Sequence, residues 1–201
     1  MNDHTNALSV VTDDIFATRE AFQVCLVEPS LNFDAEAGFA VQILAKSEYA
    51  LKAAYNNPQS VKDAVTNVAA MGLSLNPALK HAYLIPRKVG DKLAVVLDIA
   101  FIGMVELATA GGGVVFVQSR VVHQKDSFRD NGPGQMPDHS FNAFATDRGP
   151  VVGVYVVAKL ATGEYLTETM SVAQINDIRD RSGAWKARMG WDIPWYTLTD
   201  D

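Results

Sequence analysis

The fold is decided where the chain reads Gly72-Leu73-Ser74-Leu75-Asn76-Pro77 and then, after five residues, Tyr83-Leu84-Ile85-Pro86-Arg87. Apolar residues before Gly72 recur at helical spacing, whereas the residues after Pro77 form extended runs typical of strands. Glycine suits the left-handed position that ends a helix, and Asn-Pro favours a turn. The chain therefore changes here from helices to strands, which indicates the α+β class.

Three helices are predicted before this change. We expect a flexible lead over residues 1–12, followed by an amphipathic helix from about Asp13 to Val27. A long helix, which Asn32 or Asp34 could cap, is predicted to run to about Tyr55. The third helix is predicted from Pro58, which suits a first turn, to Gly72. Together they form an N-terminal helical segment.

Extended runs after Pro77 predict two antiparallel hairpins, one around Val89-Gly90-Asp91 and one around Ala161-Thr162-Gly163. The predicted strands are Ala82–Arg87, Lys92–Val96, Val114–His123, Val151–Leu160 and Glu164–Thr169. We therefore expect an α+β fold in which an antiparallel sheet with two hairpins is packed by helices.

Three further segments complete the prediction. Helical spacing returns over Ile99–Ala110. A capping box at Ser171 and Gln174 opens a helix that continues to Arg181. Between the strands, residues 130–149 are rich in Gly, Pro, Asp and Asn, so a long mobile loop is predicted there.

Charge is distributed unevenly along the 201 residues, which carry a net charge of −6. An acidic chain is unfavourable for DNA binding, because phosphate affinity comes from lysine and arginine. Residues 1–40, however, contain seven acidic side chains against Arg19 alone, and they account for the whole net charge. Between Lys80 and Arg129 there are seven basic and four acidic side chains. The local charge therefore permits a nucleic-acid interface.

Apolar runs and cysteine content exclude other classes of protein. The longest apolar runs, such as Val151–Val157, fall far short of the roughly twenty residues that span a bilayer. The N-terminus does not combine a basic start with an apolar run, so the sequence does not indicate a secretory signal. Cys25 is the single cysteine, so no internal disulfide can form and a reducing compartment is expected. We expect a cytoplasmic protein with no membrane partner.

A series of short motifs runs in one order from Gly72 to Ser182. Beyond the residues quoted above, the series consists of Gly103, Met104, Leu107, Ala108, Val121, Val122, Asp126, Phe128, Gly153, Val154, Tyr155, Met170, Ser171, Ile175, Ile178, Arg179 and Ser182. The series resembles the RecT/Redβ family of phage single-strand DNA annealing (recombination) proteins. That family shows Gly-Leu, Asn-Pro and Tyr-Leu-(Ile/Leu)-Pro, then Gly-(Met/Leu)-x-x-Leu-Ala and Val-Val-x-x-x-Asp-x-Phe. The resemblance covers about residue 40 onward.

This resemblance implies a non-enzymatic protein that anneals complementary single strands without ATP or a cofactor. It implies that the partners are single-stranded DNA, the annealed duplex, further copies of the chain in a ring or helical filament, and a phage-type exonuclease. The expected source is a bacterium, phage or prophage. We expect residues 1–30 to form the lead and first helix, and residues 31–201 to form the annealing core. The family continues with a basic helix and a partner-binding region, so we expect the family's C-terminal region to be missing.

Annealing requires that two strands are held by their backbones while their base edges stay free to pair. Basic side chains near strand ends, loop mouths and the last predicted helix are therefore our candidates for phosphate contacts, and one aromatic is a candidate for base stacking. The candidate DNA-binding residues are Lys80, Arg87, Lys88, Phe101, Arg120, Lys125, Arg129, Arg179, Arg181 and Lys186. For each cation the alternative is a solvated surface charge.

Aromatic side chains have two possible roles. Phe101 and Tyr83 could stack on bases, but core packing is the alternative for both, because Met104, Val105 and Ala108 follow Phe101 at core-like helical spacing. The three tryptophans, Trp185, Trp191 and Trp195, are expected to pack on the sheet or on a neighbouring subunit.

Two other classes of function stay open. An oligomeric structural or interaction protein with little DNA binding would fit the acidic net charge. A metal-dependent nuclease would have to use His123 and Asp126 with the separate Asp98, Asp138 and His139, whose spacing matches no dedicated metal site. Gly111-Gly112-Gly113 has no following Lys-(Ser/Thr), so it is not a phosphate-binding loop of an ATPase.

Overall fold

The structure is a computed structural model that describes residues 2–181. The chain consists of two compact units, residues 1–110 (unit 1) and residues 111–201 (unit 2). Helices and antiparallel strands occur together, which confirms the predicted α+β class. Among the described residues the strands form three antiparallel sheets.

Unit 1 consists of helices followed by one hairpin and a last helix. Its elements are α1 (Asn2–Phe16), α2 (Arg19–Cys25), α3 (Phe33–Ala45), α4 (Glu48–Asn56), α5 (Pro58–Met71), β1 (Ala82–Val89), β2 (Lys92–Ile99) and α6 (Phe101–Ala110). Five described helices therefore precede the first strand, where the sequence predicted three.

The predicted flexible lead is wrong, because residues 2–16 form α1. Val11 and Ile15 of this helix are buried in the main core of unit 1, together with Phe22 of α2 and Phe33 of α3. Burying such side chains contributes about 1.5–3 kcal/mol each, which orders a segment that lacks strong local helix signals. The N-terminal helices are thus part of the core of unit 1.

The predicted long helix is two helices, α3 and α4, separated at Lys46 and Ser47. The Ser47 side chain accepts a hydrogen bond from the backbone N–H of Ala50 and so caps a new helix. Of the two predicted cap candidates, Asn32 caps α3, by accepting from the N–H of Ala35. The predicted Pro58 start and left-handed Gly72 end of α5 are also confirmed.

The hairpin of β1 and β2 is attached to the helices along one edge. The Ser60 hydroxyl accepts from the N–H of Val95, and the Asn57 side chain donates to the carbonyl of Leu93. Because the Val95 N–H points away from β1, Val95 and its partner Pro86 form a pair without mutual hydrogen bonds. Pro86 therefore interrupts no ladder bond and occupies the free edge of β1.

A buried carboxylate fixes the segment that leads into this hairpin. Glu36 of α3 is buried and accepts from the hydroxyl of Ser74 and from the N–H of Leu75, at 2.5 and 2.7 Å. This contact ties the Gly-Leu-Ser-Leu motif to the helical core.

Unit 2 is built on a three-stranded sheet. Its elements are β3 (Val114–His123), β4 (Ser127–Arg129), β5 (Asp138–Ser140), β6 (Val151–Leu160), β7 (Tyr165–Ser171) and α7 (Val172–Arg181). The sheet has the order β3-β6-β7, and β4 pairs with β5. The predicted capping box is confirmed, since Ser171 and Gln174 exchange hydrogen bonds at the start of α7.

The predicted mobile loop over residues 130–149 is wrong in part. It contains β5, which pairs with β4 in register Phe128 to His139. The side chains of these two residues pack with Tyr155 of the sheet. Long-range contacts of this kind cannot be recognised from local composition, which here is typical of turns.

None of the helices within residues 2–181 combines the length and apolar character that crossing a bilayer requires. The predicted functional division at residue 30 stays a prediction.

Candidate nucleic-acid interface

The β1–β2 hairpin of unit 1 has one covered face and one open face. Leu84 and Val95 point to the covered face, which packs against α4 and α5. Because side chains alternate along a strand, Tyr83, Arg87 and Lys92 share the opposite face. All three are exposed. We call Tyr83, Arg87 and Lys92 the hairpin face.

An ion pair holds one cation of the hairpin face in place. Nη2 of Arg87 donates to the Asp98 carboxylate at 2.9 Å, and both side chains are about half exposed. Asp98 is the cross-strand partner of Tyr83. The ion pair therefore draws the guanidinium of Arg87 toward the end of the hairpin at which Tyr83 lies. The remaining N–H groups of Arg87 are available to phosphate oxygens.

Two more predicted residues lie at the ends of the hairpin. Lys88, next to the turn, is exposed. Lys80, at the base, has a left-handed backbone with φ of 54° and is also exposed. The N–H of Ala100 donates to the carbonyl of His81 at 2.9 Å, which brings the start of α6, and with it Phe101, beside Lys80. The structure thus places Arg87 and Lys88 on β1, Lys80 just before this strand and Phe101 at the start of α6, all within unit 1. Lys88 belongs to the strand face opposite that of Arg87.

The core-packing alternative for the aromatics is wrong. Tyr83 is 42% exposed and Phe101 57% exposed, and Met104 of α6 is exposed as well. Gly103 is the buried residue of α6, because the helix approaches the chain at His81 through this glycine. The apolar spacing of α6 predicts a core helix, but this helix buries little of its surface within unit 1.

Asp126 is the centre of a buried polar cluster in unit 2. Its carboxylate accepts from the N–H of His123 at 2.8 Å, from Nε2 of His139 at 3.1 Å and from Nε of Arg148 at 2.9 Å. Nη2 of Arg148 donates to it as well, so the guanidinium binds both carboxylate oxygens. The side chains of Asp126 and His139 are 1% and 5% exposed.

Electrostatics in this cluster favour the charged carboxylate. The hydrogen bonds from Arg148 hold the pKa of Asp126 well below its usual range, and those from His123 and His139 act in the same direction against burial. Burial raises the pKa of Tyr155, whose hydroxyl lies 3.2 Å from Nδ1 of His139. From the sequence, Asp126 was part of the Val-Val-x-x-x-Asp-x-Phe motif, and His123, Asp126 and His139 were considered for a metal site that their spacing does not match.

The other predicted cations of unit 2 lie in different places. Arg120 is exposed on β3, opposite Tyr155 of β6. Lys125 is exposed and pairs with Asp147. Arg129 is exposed on β4, next to the inward-facing Phe128. Arg120 thus lies on the three-stranded sheet, whereas Lys125 and Arg129 lie in the segment 124–150 of unit 2.

The last helix carries two more predicted residues, Arg179 and Arg181, which form the basic last turn of α7. Lys186 and the three tryptophans lie outside the described residues.

Comparison with known proteins agrees with the order of motifs. A family model described as the RecT family matches residues 36–197. The chain belongs to the RecT family. Protein RecT of Escherichia coli (strain K12) is 32% identical over 143 residues, which are 69% of this chain and 51% of that protein. The chain spans about half the length of this curated relative.

The RecT-family match includes both the hairpin face and the Asp126 cluster. Sequence reasoning did not identify Lys92, a hairpin-face cation, although its position beside the predicted turn was a usable signal. It also missed the role of Asp126 and Arg148, because Arg148 is distant in sequence. Within the described part of this RecT-family chain, no group of three His, Cys, Asp or Glu side chains could hold a metal ion.

Proposed function

We propose that this RecT-family chain binds single-stranded DNA and anneals complementary strands without ATP, as an oligomer, in phage-type homologous recombination. The observation that carries this proposal is the exposed hairpin face of unit 1, where two cations and an aromatic ring share one face of a hairpin held by the core. We place the annealing function in residues 31–201.

The hairpin face suits a grip on the sugar-phosphate backbone. Tyr83 and Arg87 are separated by four residues on one face, or about 13 Å along an extended strand. At that spacing the Arg87 guanidinium can bind a phosphate while the exposed Tyr83 ring stacks on a base without reading its sequence. Base edges would then stay free to pair with a second strand. Sequence selectivity is supplied by base pairing alone.

Each unit contributes separate candidate contacts. Lys80, Arg87 and Lys88 belong to unit 1, and Arg120 and Lys125 belong to unit 2. A single chain with so few phosphate contacts should bind weakly and in a salt-sensitive manner. Repetition of these surfaces in a ring or helical filament would raise the avidity for a continuous strand. Oligomerisation is therefore part of the proposal.

We propose that the net negative charge does not prevent this mode of binding. The acidic excess falls within residues 1–40, which form α1, α2 and the start of α3 in the helical part of unit 1. We further propose a cytoplasmic protein of bacterial, phage or prophage origin that acts beside an exonuclease and is itself not an enzyme.

A fluorescence-quench annealing assay with two complementary oligonucleotides tests the proposal. The assay is run with EDTA and without nucleotide, and then repeated with added divalent metal. We expect faster pairing than in protein-free buffer under both conditions. Pairing at the protein-free rate would contradict the proposal, and shortening of the strands only with added metal would identify a nuclease.

The net charge of −6 favours a second candidate, an oligomeric interaction protein with little DNA binding. Sedimentation of the chain with and without an oligonucleotide separates the two functions. The second candidate predicts assembly that is independent of DNA and no binding of the oligonucleotide at low salt.

A further inference from the structure

The buried carboxylate of Asp126 is engaged by donors of its own chain. The carboxylate receives hydrogen bonds from His123, His139 and, twice, from Arg148, and its side chain is buried. A buried carboxylate that accepts four hydrogen bonds from its own chain is poorly placed to bind a metal ion or a nucleobase. Its role must therefore be exerted through the residues that it holds. We call Asp126, His139 and Arg148 the clamp.

The clamp closes the base of the segment 124–150. Beside it, the N–H of Gln124 donates to the carbonyl of Pro150, and the N–H of Lys125 donates to the carbonyl of Arg148, at 2.9 and 3.0 Å. Nδ1 of His123 lies 2.8 Å from the carbonyl oxygen of Gly149. Both ends of the segment are thus joined next to Lys125.

Phe128 fixes the direction of the next cation. Its ring packs on Tyr155 and His139, with centroid distances of 4.9 and 5.8 Å. Since successive side chains of a strand point to opposite faces, an inward Phe128 turns its neighbour Arg129 outward. The Asp-x-Phe pattern therefore sets the positions of two exposed cations, Lys125 and Arg129.

We propose that Asp126 is a positioning residue for DNA binding, which holds Lys125 and Arg129 outward as a pair of phosphate contacts in unit 2. The inference rests on the proposed binding of single-stranded DNA and adds to it a defined pair of contacts and the groups that orient them. In this proposal, the buried ion pair of Asp126 and Arg148 serves to fix the position of the segment 124–150.

The test compares Asp126→Asn with the double variant Lys125→Ala/Arg129→Ala and with the combination of all three changes. Binding of the full chain to a fluorescein-labelled oligonucleotide is measured by anisotropy over a salt series. Each lost phosphate contact reduces the slope of log affinity against log salt by about 0.7 for single strands, so the double variant should lose about 1.4. Glu164→Gln, at an exposed turn of unit 2, controls for the removal of one negative charge.

We expect Asp126→Asn to lose as much slope as the double variant, and the triple variant to lose no more than either. This expectation is the opposite of what charge alone would produce. Removing a carboxylate should by itself strengthen DNA binding, as Glu164→Gln should show. Hydrogen exchange of residues 124–150 reports whether the segment has been released. Far-UV circular dichroism reports whether the chain is still folded.

Two outcomes would overturn the inference. One is a released segment with an unchanged salt slope, and the other is a segment that stays protected in Asp126→Asn. If Asp126→Asn does not fold, Arg148→Lys is compared in the same way, because it keeps the charge and loses the two-pronged contact. An unmutated chain without salt-dependent binding would instead contradict the proposed function itself.

Discussion

Gly103 of α6 lies so close to His81 that a β-carbon at position 103 would stand 2.1 Å from the His81 carbonyl oxygen. That carbonyl also accepts the N–H of Ala100, so the backbone on this side is held in place. The glycine of the Gly-(Met/Leu)-x-x-Leu-Ala motif is thereby explained by the close approach of a helix to the base of the hairpin.

We expect Gly103→Ala to destabilise unit 1 by about 1–3 kcal/mol, because backbone must shift to make room for the added methyl group. Urea unfolding followed by circular dichroism measures the change. Gly38→Ala is the matched control in α3, where a β-carbon meets nothing within 4 Å. There the substitution should stabilise the chain by about 0.5–1 kcal/mol. Equal effects of the two variants would show that the close approach does not matter.

The basic end of the hairpin gives a second prediction. Arg87→Glu/Lys88→Glu should weaken binding to oligonucleotides of different sequence by similar factors, because phosphate contacts carry no sequence information. The salt slope should fall by about 1.4 for two contacts. Lys46→Glu/Lys52→Glu makes the same change of net charge on exposed positions of the helical part. Affinity that falls equally in both double variants would remove the hairpin from the interface.

Tyr83 gives a third prediction, about the aromatic ring of the hairpin face. Tyr83→Ala should cost about 1–3 kcal/mol of binding free energy if the ring stacks on one base. Tyr83→Phe keeps the ring and should bind nearly as well as the unmutated chain. Anisotropy titrations compare the variants, and thermal melting checks that the exposed position does not affect folding. Equal affinity of the alanine and phenylalanine variants would argue against stacking.

The pKa of Asp126 predicts how stability depends on pH. A carboxyl group with a depressed folded pKa stabilises the chain above its unfolded pKa, about 3.9 for aspartate, and loses that contribution as the pH falls toward the folded pKa. The advantage of the unmutated chain over Asp126→Asn should therefore be full at about pH 5 and shrink progressively below about pH 4. Unfolding free energies of the unmutated chain and of Asp126→Asn are measured at several pH values. The difference between them tests this prediction, because other carboxylates, such as Asp34 and Asp147, titrate in both proteins and their effects cancel. A constant difference down to the lowest pH would contradict the assigned shift.

The N-terminal helix gives the last prediction. Ile15 of α1 is 0% exposed, so Ile15→Ala should cost about 2–5 kcal/mol of unfolding free energy. Val24→Ala removes two methyl groups from a side chain that is 81% exposed, and should change stability by at most about 0.5 kcal/mol. Urea unfolding compares the two. A neutral Ile15→Ala would contradict the inclusion of α1 in the core of unit 1.

Much of the fold could be predicted because several of its signals are local. The Asn32 cap, the Pro58 start and the Gly72 end of α5 were recognised from single residues whose backbone preferences act within one helical turn. Both hairpins were found from extended runs around glycine-containing turns. Ser47 was an equally local cap, but it was overlooked inside a continuous helical pattern.

The candidate site was predicted less completely. Arg87 and Lys88 were found from their positions beside a predicted turn. Lys92, which follows the same turn, and the exposure of Tyr83 and Phe101 were not predicted. Apolar spacing indicates which residues share a face, but it does not determine what that face packs against.

The sequence by itself determined the α+β class, the helix boundaries that rest on caps and the membership of the RecT family, because these follow from short-range preferences and the order of motifs. Only the tertiary structure decided that residues 2–16 join the core, that α6 leaves its aromatic exposed and that Asp126 binds Arg148. Burial and pairing between distant residues depend on the packing of whole elements, and no local preference encodes which partner a side chain will meet.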